Sequence, residues 1–181
     1  RIGNVQTKAA TLHQLAAIYA NKGDVDEAIA LYNQSLEINE RIGNVQTKAA
    51  TLHQLAAIYA NKGDVDEAIA LYNQSLEIKE RIGNVQGKAA TLHQLAGIYA
   101  KKGDVDEAIA LFNQSLEIKE RIGDVQGKAM TLWWLGHLAE QQGEYTKAIS
   151  YLQPALEILQ RLKSPDAESV SASLDRIIRN S

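Results

Sequence analysis

The chain has 181 residues, of which 45% are hydrophobic and 23% charged, and its net charge is −3, which is the balance of an ordinary folded protein. It has no cysteine, no apolar run of about 18 residues and no charged-then-apolar leader, so we expect a cytoplasmic protein with neither a disulfide framework nor a membrane partner. Acids and bases are interspersed, so no concentrated Lys and Arg face exists to neutralise phosphates, and we expect no nucleic-acid partner.

The sequence repeats itself every forty residues. Residues 1–40 and 41–80 are identical except that Asn39 becomes Lys79. The third copy, 81–120, departs from the second only at Gly87, Gly97, Lys101 and Phe112, whereas the fourth, 121–160, has diverged visibly. A fixed period of this length is typical of stacked units that cannot bury their apolar faces alone. Recent duplication and deliberate engineering would both give such near-identity, and the sequence leaves both open.

The first half of each unit has the pattern of an amphipathic helix. In the first copy, apolar residues recur at spacings of three and four, at Val5, Ala9, Leu12, Ala16 and Tyr19. Gly23 then predicts a left-handed helix stop. Asp24, with Glu27 three residues later, predicts an N-cap and a capping box. One helix therefore ends here and another begins.

The second half of each unit predicts a helix with a wider apolar band. Its apolar positions in the first copy are Val25, Ala28, Ile29, Tyr32, Leu36, Ile38 and Ile42. Such a band is too wide for one neighbour, so this helix must pack on both sides. Gly43 supplies the next stop and Asn44 the next N-cap. Each unit is therefore expected to be two antiparallel helices joined by short turns.

The last residues predict one more helix. Ser164 has the chemistry of an N-cap, Pro165 suits the first turn, and apolar residues follow at Val170, Leu174, Ile177 and Ile178. We expect a C-terminal capping helix over 164–181 that gives the last unit a polar outer face. The first unit has no such cap, and its open apolar face would favour a homo-oligomer.

These units resemble the tetratricopeptide repeat. Large, large, small, aromatic, glycine, small, aromatic and small residues stand where that motif has them, at Leu12, Leu15, Ala16, Tyr19, Gly23, Ala28, Tyr32 and Ser35. The period is longer than the usual one of about 34 residues. In this it is similar to the forty-residue variety of kinesin light chains and spindle-orientation adaptors.

The resemblance implies an all-α fold, an α-solenoid of antiparallel helix pairs forming a right-handed superhelix with a C-terminal capping helix. It divides the chain into four repeats, 1–40, 41–80, 81–120 and 121–160, within a repeat domain over 1–163, followed by the capping helix. It also implies a protein-interaction scaffold that binds a partner peptide or helix in a concave groove. The alternative is a self-assembling structural array of repeats.

In this family the first helix of each pair lines the concave groove. Residues off the core stripe of that helix would then face the partner, and they form rows along the chain: His13, His53 and His93; Gln14, Gln54 and Gln94; Asn21, Asn61 and Lys101. Small alanines between them leave room for a partner backbone. The plainer interpretation is that these residues only coat a solvent-facing surface.

The fourth copy changes most at these positions. Met130, Trp133, His137 and Glu140 lie at spacings of three and four, so they share one helix face. An aromatic ring beside a flexible thioether is typical of a binding hot spot. We expect Trp133 to lie in the groove and Trp134 to pack. The alternative is that one or both tryptophans pack against the capping helix.

The chemistry of these rows argues for binding only. Catalysis needs unlike groups at one point, whereas the repeats place like groups at equal intervals, so we expect no enzyme and no cofactor. Imidazoles on helices about 8–10 Å apart could hardly share one ion, so we expect no metal. If the histidines line the groove, acidic partners should bind more tightly as the pH falls through about 6.5.

Overall fold

A computed structural model of the protein describes residues 2–180. Over that range the chain forms nine α-helices and no strand. The helices are α1 (Ile2–Lys22), α2 (Val25–Ile42), α3 (Val45–Lys62), α4 (Val65–Arg81), α5 (Val85–Lys102), α6 (Val105–Ile122), α7 (Val125–Gln141), α8 (Tyr145–Arg161) and α9 (Asp166–Asn180). Arg1 and Ser181, which bound the predicted repeats and capping helix, lie outside the described residues.

The helices belong to two compact units, with the boundary inside α5 between Thr91 and Leu92. In the first unit α1 packs against α2, α3 packs against α4, and α2 also packs against α3. In the second unit α6 packs against α7, α7 against α8, and α8 against α9. A second helix such as α2 or α8 thus contacts the helix before it and the helix after it, as its wide apolar band predicts. The predicted class, an all-α solenoid of helix pairs with a capping helix, is confirmed.

The turns between helices are short because glycine ends one helix and a polar residue precedes the next. Gly43 adopts a left-handed conformation with φ of 69°, and its N–H group bonds back to the last turn of α2. The Oδ1 atom of Asn44 then accepts a hydrogen bond from the Thr47 N–H group at 3.2 Å. The predicted cap at Asp24 is wrong in its chemistry, because that side chain makes no capping hydrogen bond. At the matching position, the carboxylate of Asp104 instead lies 3.4 Å from the ammonium of Lys102.

Each helix pair is held by small residues facing large ones. Ala16 and Ala28 are fully buried, and the large ring of Tyr32 is 1% exposed. At the positions that match Ala16 and Tyr32, the fourth pair has the smaller residues Gly136 and Leu152, which face each other. A methyl group added at Gly136 would lie 2.6 Å from the Leu152 Cγ atom, so the two residues fit only as a set.

The capping helix α9 covers the last pair. The Oγ atom of Ser164 accepts a hydrogen bond from the Asp166 N–H group at 3.3 Å, as its predicted role as an N-cap requires. Three of the four predicted apolar residues, Val170, Leu174 and Ile177, are buried against the core of α7 and α8. Ile178 is 59% exposed and was wrongly expected in the same stripe.

Candidate functional site

The histidines of the first helices are half-buried and hydrogen-bonded, rather than free in a groove. The Nδ1 atoms of His13, His53 and His93 lie 3.0, 3.1 and 3.1 Å from the Oγ1 atom of the threonine thirty-eight residues further on. Each imidazole also meets an aromatic ring of its own pair edge to face, with centroids 5.1–5.2 Å apart. These rings therefore have structural partners on two sides.

Burial also changes the acid–base behaviour of these histidines. It lowers the pKa of His53 and of His93 to about 4, helped by the positive charge of a neighbouring lysine, and it lowers the pKa of His13 as well. The two more buried imidazoles stay neutral at pH 6.5. A pKa of about 4 contradicts the expectation that His53 and His93 gain charge as the pH falls through 6.5, because a buried imidazolium would lose its hydration.

Position 39 of the second and third repeats adds a lysine to these contacts, whereas the first repeat has an asparagine there. We call each set of three residues a joint: joint 1 is His13, Asn39 and Thr51; joint 2 is His53, Lys79 and Thr91; joint 3 is His93, Lys119 and Thr131. Each joint takes its histidine from one pair, its middle residue from the second helix of that pair, and its threonine from the next first helix. The middle residue is buried in all three joints.

The lysines of joints 2 and 3 are unusual because a charged side chain is buried and, within residues 2–180, hydrogen-bonds to hydroxyl, imidazole or carbonyl groups rather than to a carboxylate. Lys79 and Lys119 are each 6% exposed, and their Nζ atoms donate to Thr91 at 2.7 Å and to Thr131 at 2.9 Å. Nζ of Lys79 also lies 3.3 Å from Nδ1 of His53. Burial lowers the pKa of Lys79 to about 8, and it lowers the pKa of Lys119 too.

Joint 1 lacks this cation. The Nδ2 atom of Asn39 donates to the backbone oxygen of Ser35 at 2.8 Å, within the same helix. Its Oδ1 atom is buried and has no hydrogen-bond partner among the described residues. The single difference between the first two copies therefore falls at a buried position of the second helix.

The other predicted residues of the rows are exposed. This holds for Gln14, Gln54 and Gln94 at the middle of their helices, and for Asn21, Asn61 and Lys101 near the ends of theirs. Within residues 2–180 no hydrogen bond fixes these side chains, which can meet a partner or only the solvent.

The predicted cluster of the fourth copy does come together, and it forms one wall of a pocket. The pocket has a volume of about 480 Å³ and is lined by Met130, Trp133, Trp134, His137, Ser169, Ser173 and Arg176. Met130 and Trp133 also pack against the core below. Trp134 stacks on Phe112 with ring centroids 5.8 Å apart, so it both packs and lines the pocket.

A bidentate ion pair joins the two helices that form this pocket. Nε and Nη2 of Arg176 in α9 donate to Oε1 and Oε2 of Glu140 in α7 at 2.8 and 2.9 Å. The hydrogen bonds from Arg176 hold the pKa of Glu140 below its usual value. Glu140, predicted to face a partner, is thus engaged within the chain, while His137 lies beside it with Nδ1 4.0 Å from Oε2.

The core stripe of the repeats does not indicate the threonines and lysines of the joints, nor the α9 side of the pocket. A signal for the joints was present, because Thr11, Leu15 and Ile18 form a second stripe at spacings of four and three beside the core stripe. A second stripe on a helix indicates that the helix packs against a second neighbouring helix. The sole difference between the first two copies, at Lys79, was another signal. Ser169, Ser173 and Arg176 follow no repeat pattern, and they could not have been placed without the path of α9.

The described residues form neither a metal site nor a membrane-spanning helix. Among residues 2–180, no three His, Asp or Glu side chains come together in a way that could hold a metal ion. Nor does that part of the chain contain a helix both long enough and apolar enough to cross a membrane.

Comparison with known families agrees with the helix pairs. A family model described as tetratricopeptide repeat matches residues 7–81 and again 47–121, and a second model of the same description matches residues 131–158. Together these spans cover more than half of the chain. The chain belongs to the tetratricopeptide repeat family. Such repeats are generally non-catalytic scaffolds for protein interactions. No curated protein sequence matches the chain.

Solved structures share the fold of this tetratricopeptide repeat protein. BtubC (BKLC) from P. vanneervenii has a TM-score of 0.83 and 19% identity, over 99% of this chain and 82% of that one. A kinesin light chain-like protein of Podosopora anserina with nearly identical TPR-like repeats has a TM-score of 0.78 and 23% identity, over 96% and 87%. The apo form of RapI has a TM-score of 0.85 and 18% identity, over 96% of this chain and 48% of RapI. At these identities the likeness concerns the fold alone.

Proposed function

We propose that this tetratricopeptide repeat protein is an interaction scaffold that binds a peptide or helix of a partner protein on the surface of its first helices. The observation that carries the proposal is the pocket of about 480 Å³ between α7 and α9. The general role of the family as a scaffold for protein partners supports it. The exposed glutamine and asparagine rows of the first helices supply hydrogen-bonding groups for a partner backbone.

The pocket has the chemistry of an anchor point. One wall presents two indole rings, which offer a large and rigid apolar area, and a flexible thioether that can adapt to the partner. The opposite wall presents two serine hydroxyls and a guanidinium group, which suit the polar edge of an interface. Met130 and Trp133 replace Ala90 and His93 of the preceding pair, so the anchor is particular to the fourth pair.

The test removes the anchor without changing the fold. In the double variant Met130→Ala, Trp133→His, the fourth pair receives the residues that the third pair already has at the same positions. Peptides selected from a displayed library on the unmodified protein should bind this variant at least about tenfold more weakly, the usual loss when a hot spot is removed. Affinity is measured by calorimetry, and circular dichroism checks that the helices are intact.

The matched control is Gln34→Ala, which removes an exposed glutamine of α2, a second helix of the first unit that contributes nothing to the proposed binding rows. A peptide anchored in the pocket should bind this control with little change. Equal affinity of every selected peptide for the unmodified protein and the double variant would contradict the proposed anchor.

A second candidate is a self-assembling array, favoured by the exposed face of α1. Leu15 and Ile18 are 38% and 50% exposed, whereas Leu55, the counterpart of Leu15 in the second copy, is 1% exposed. Covering this face with a second copy of the chain would bury apolar area that water now meets. Light scattering over a wide concentration range tests it: a mass that grows with concentration supports assembly, and a constant monomer mass rejects it.

A further inference from the structure

Joints 1 and 2 place the same imidazole beside the same hydroxyl, yet they differ in hydrogen-bond polarity. A threonine hydroxyl has one proton to donate and two lone pairs with which to accept. The Oγ1 atom of Thr51 donates its proton to the backbone oxygen of Thr47 at 2.9 Å. Toward Nδ1 of His13, at 3.0 Å, it can therefore only accept. His13 must carry its proton on Nδ1, and its Nε2 atom is left as an acceptor.

Joint 2 begins from the same arrangement and adds an ammonium group. The Oγ1 atom of Thr91 donates to the backbone oxygen of Gly87 at 2.9 Å and accepts from Nζ of Lys79 at 2.7 Å. The ammonium has three protons and no lone pair. Nδ1 of His53 lies 3.3 Å from Nζ of Lys79 and 3.1 Å from Oγ1 of Thr91. The ammonium can only donate, so a hydrogen bond from Nζ uses the lone pair of Nδ1. A proton on Nδ1 would have Oγ1 of Thr91 as its acceptor, but it would lie beside the positive charge of Lys79 in a poorly hydrated site, which disfavours it.

The other groups around Lys79 do not offset the effect of its positive charge on His53. From α3 the nearby titratable group is His53 itself, and from α5 the joint receives Thr91. From α4 the ring of Tyr72 meets His53 edge to face, and burial raises the pKa of Tyr72 to about 12, so this ring is neutral. Glu80 and Lys88 form their own ion pair at 2.7 Å. In joint 3 the lysine has a weaker effect on its histidine. Lys119 also donates to the backbone oxygen of Gly127 at 3.3 Å and is influenced by the carboxylate of Asp124.

We propose that the residue at the middle of each joint decides which nitrogen of the neighbouring histidine carries the proton, and hence what that histidine offers to a partner. With Asn39, His13 presents an acceptor at Nε2; with the charged Lys79, His53 presents a donor there. No hydrogen bond occupies either Nε2 atom within the described residues. Lys79 is a positioning residue in this scheme, since it acts on a partner only through His53.

The consequence for binding rests on the proposed function. If a partner segment lies along the first helices of the first unit, the group that meets His53 must accept a hydrogen bond, as a backbone carbonyl or a carboxylate does. The group that meets His13 must donate one, as a backbone N–H group or a hydroxyl does. Because His13 and His53 would require opposite hydrogen-bonding groups, the first two repeats would favour one direction of a bound peptide backbone over the other.

The test needs no partner. The chain has four histidines, so a long-range ¹H–¹⁵N correlation spectrum of ¹⁵N-histidine-labelled protein resolves each ring, and single His→Gln variants assign them. At pH 7 the ring nitrogens of His13 should show protonation at Nδ1, and those of His53 protonation at Nε2. In Lys79→Asn, which gives joint 2 the middle residue of joint 1, the major tautomer of His53 should invert to that of His13.

A titration of the unmodified protein gives a second readout that a merely structural lysine would not move. As Lys79 loses its proton in alkaline solution, the tautomer of His53 should shift toward that of His13, while His13 itself stays constant. The proposal is overturned if both histidines have the same major tautomer at pH 7, or if Lys79→Asn leaves His53 unchanged. Either result would leave the scaffold function standing, because that function is tested by peptide affinity.

Discussion

Joint 1 and joint 2 have the same histidine, the same threonine and the same tyrosine, and differ only by Asn39 against Lys79. The asparagine turns back onto its own helix, whereas the lysine reaches the next helix. In the fourth pair the same position is Leu159, which is fully buried. A neutral, a charged and an apolar residue all fit here. The fold therefore does not demand the cation, and the difference between the joints is electrostatic rather than steric.

The largest expected effect is a difference in stability between variants of the threonines of joint 2 and joint 1, Thr91 and Thr51. Thr91→Val removes the main acceptor of a buried ammonium group, and we expect a loss of about 2–3 kcal/mol in the free energy of unfolding. Thr51→Val removes a bond to a neutral, half-buried imidazole, and we expect a loss of about 1 kcal/mol. Urea denaturation at pH 7 measures both.

Thr91→Ser is the matched control, since it keeps the hydroxyl group and should recover most of the stability. Equal losses for the two valine variants would mean that the charge on Lys79 contributes nothing to joint 2.

The next effect is the pH dependence of stability. The pKa of Lys79 is about 8 in the folded chain, against 10.5 when unfolded. Between these values the unfolded chain binds more protons than the folded one, so stability rises with pH. Each unit of pKa difference is worth about 1.4 kcal/mol, and we expect a gain of about 2 kcal/mol between pH 8 and 10. Burial raises the pKa of Tyr72 to about 12, so that ring stays neutral in this window.

Urea midpoints at a series of pH values provide the measurement, with Lys79→Asn as the comparison. The variant should lose the rise in stability that Lys79 causes between pH 8 and 10 and keep only the rise that Lys119 causes. If the two stability curves run parallel from pH 8 to 10, Lys79 does not titrate with a lowered pKa.

The smallest effect comes from the reverse exchange, Asn39→Lys. The change relieves an unpaired Oδ1 atom but buries a charge, and these terms oppose each other, so stability at pH 7 should change by less than about 1 kcal/mol. The pKa of the new lysine, measured by NMR, should lie below 10.5 as that of Lys79 does. Unfolding of the first pair, or a lysine with an unshifted pKa, would show that joint 1 is not equivalent to joint 2.

Much of the fold followed from periodicity. Stripes at spacings of three and four, with glycines such as Gly43 and Gly123 after them, predict the helices and their ends, because backbone geometry alone sets those patterns. The capping helix also followed from local signals, Ser164 foremost. The cap expected at Asp24 failed, because an acid at an N-cap position still chooses among several local partners.

The candidate site was less predictable. The pattern placed His13 off the core stripe, and it could not reveal that the next first helix would cover the ring and offer a hydroxyl to it. Burial of Lys79 contradicts ordinary preference, since lysine is rarely buried without a charged partner. The fourth-copy residues that were predicted to bind a partner lie on α7, but the partner of Glu140 lies in α9, thirty-six residues away, where no repeat pattern reaches.

Each joint draws its three residues from positions separated by twenty-six and then twelve residues, all inside a strict period of forty. Within residues 1–120, duplicating or deleting any forty-residue window leaves the histidine and threonine of every internal joint in register. Unequal recombination could thus lengthen or shorten the array while keeping the same contacts between neighbouring repeats. A point mutation at the middle position of a joint would then be enough to change the charge of that joint in a newly duplicated repeat.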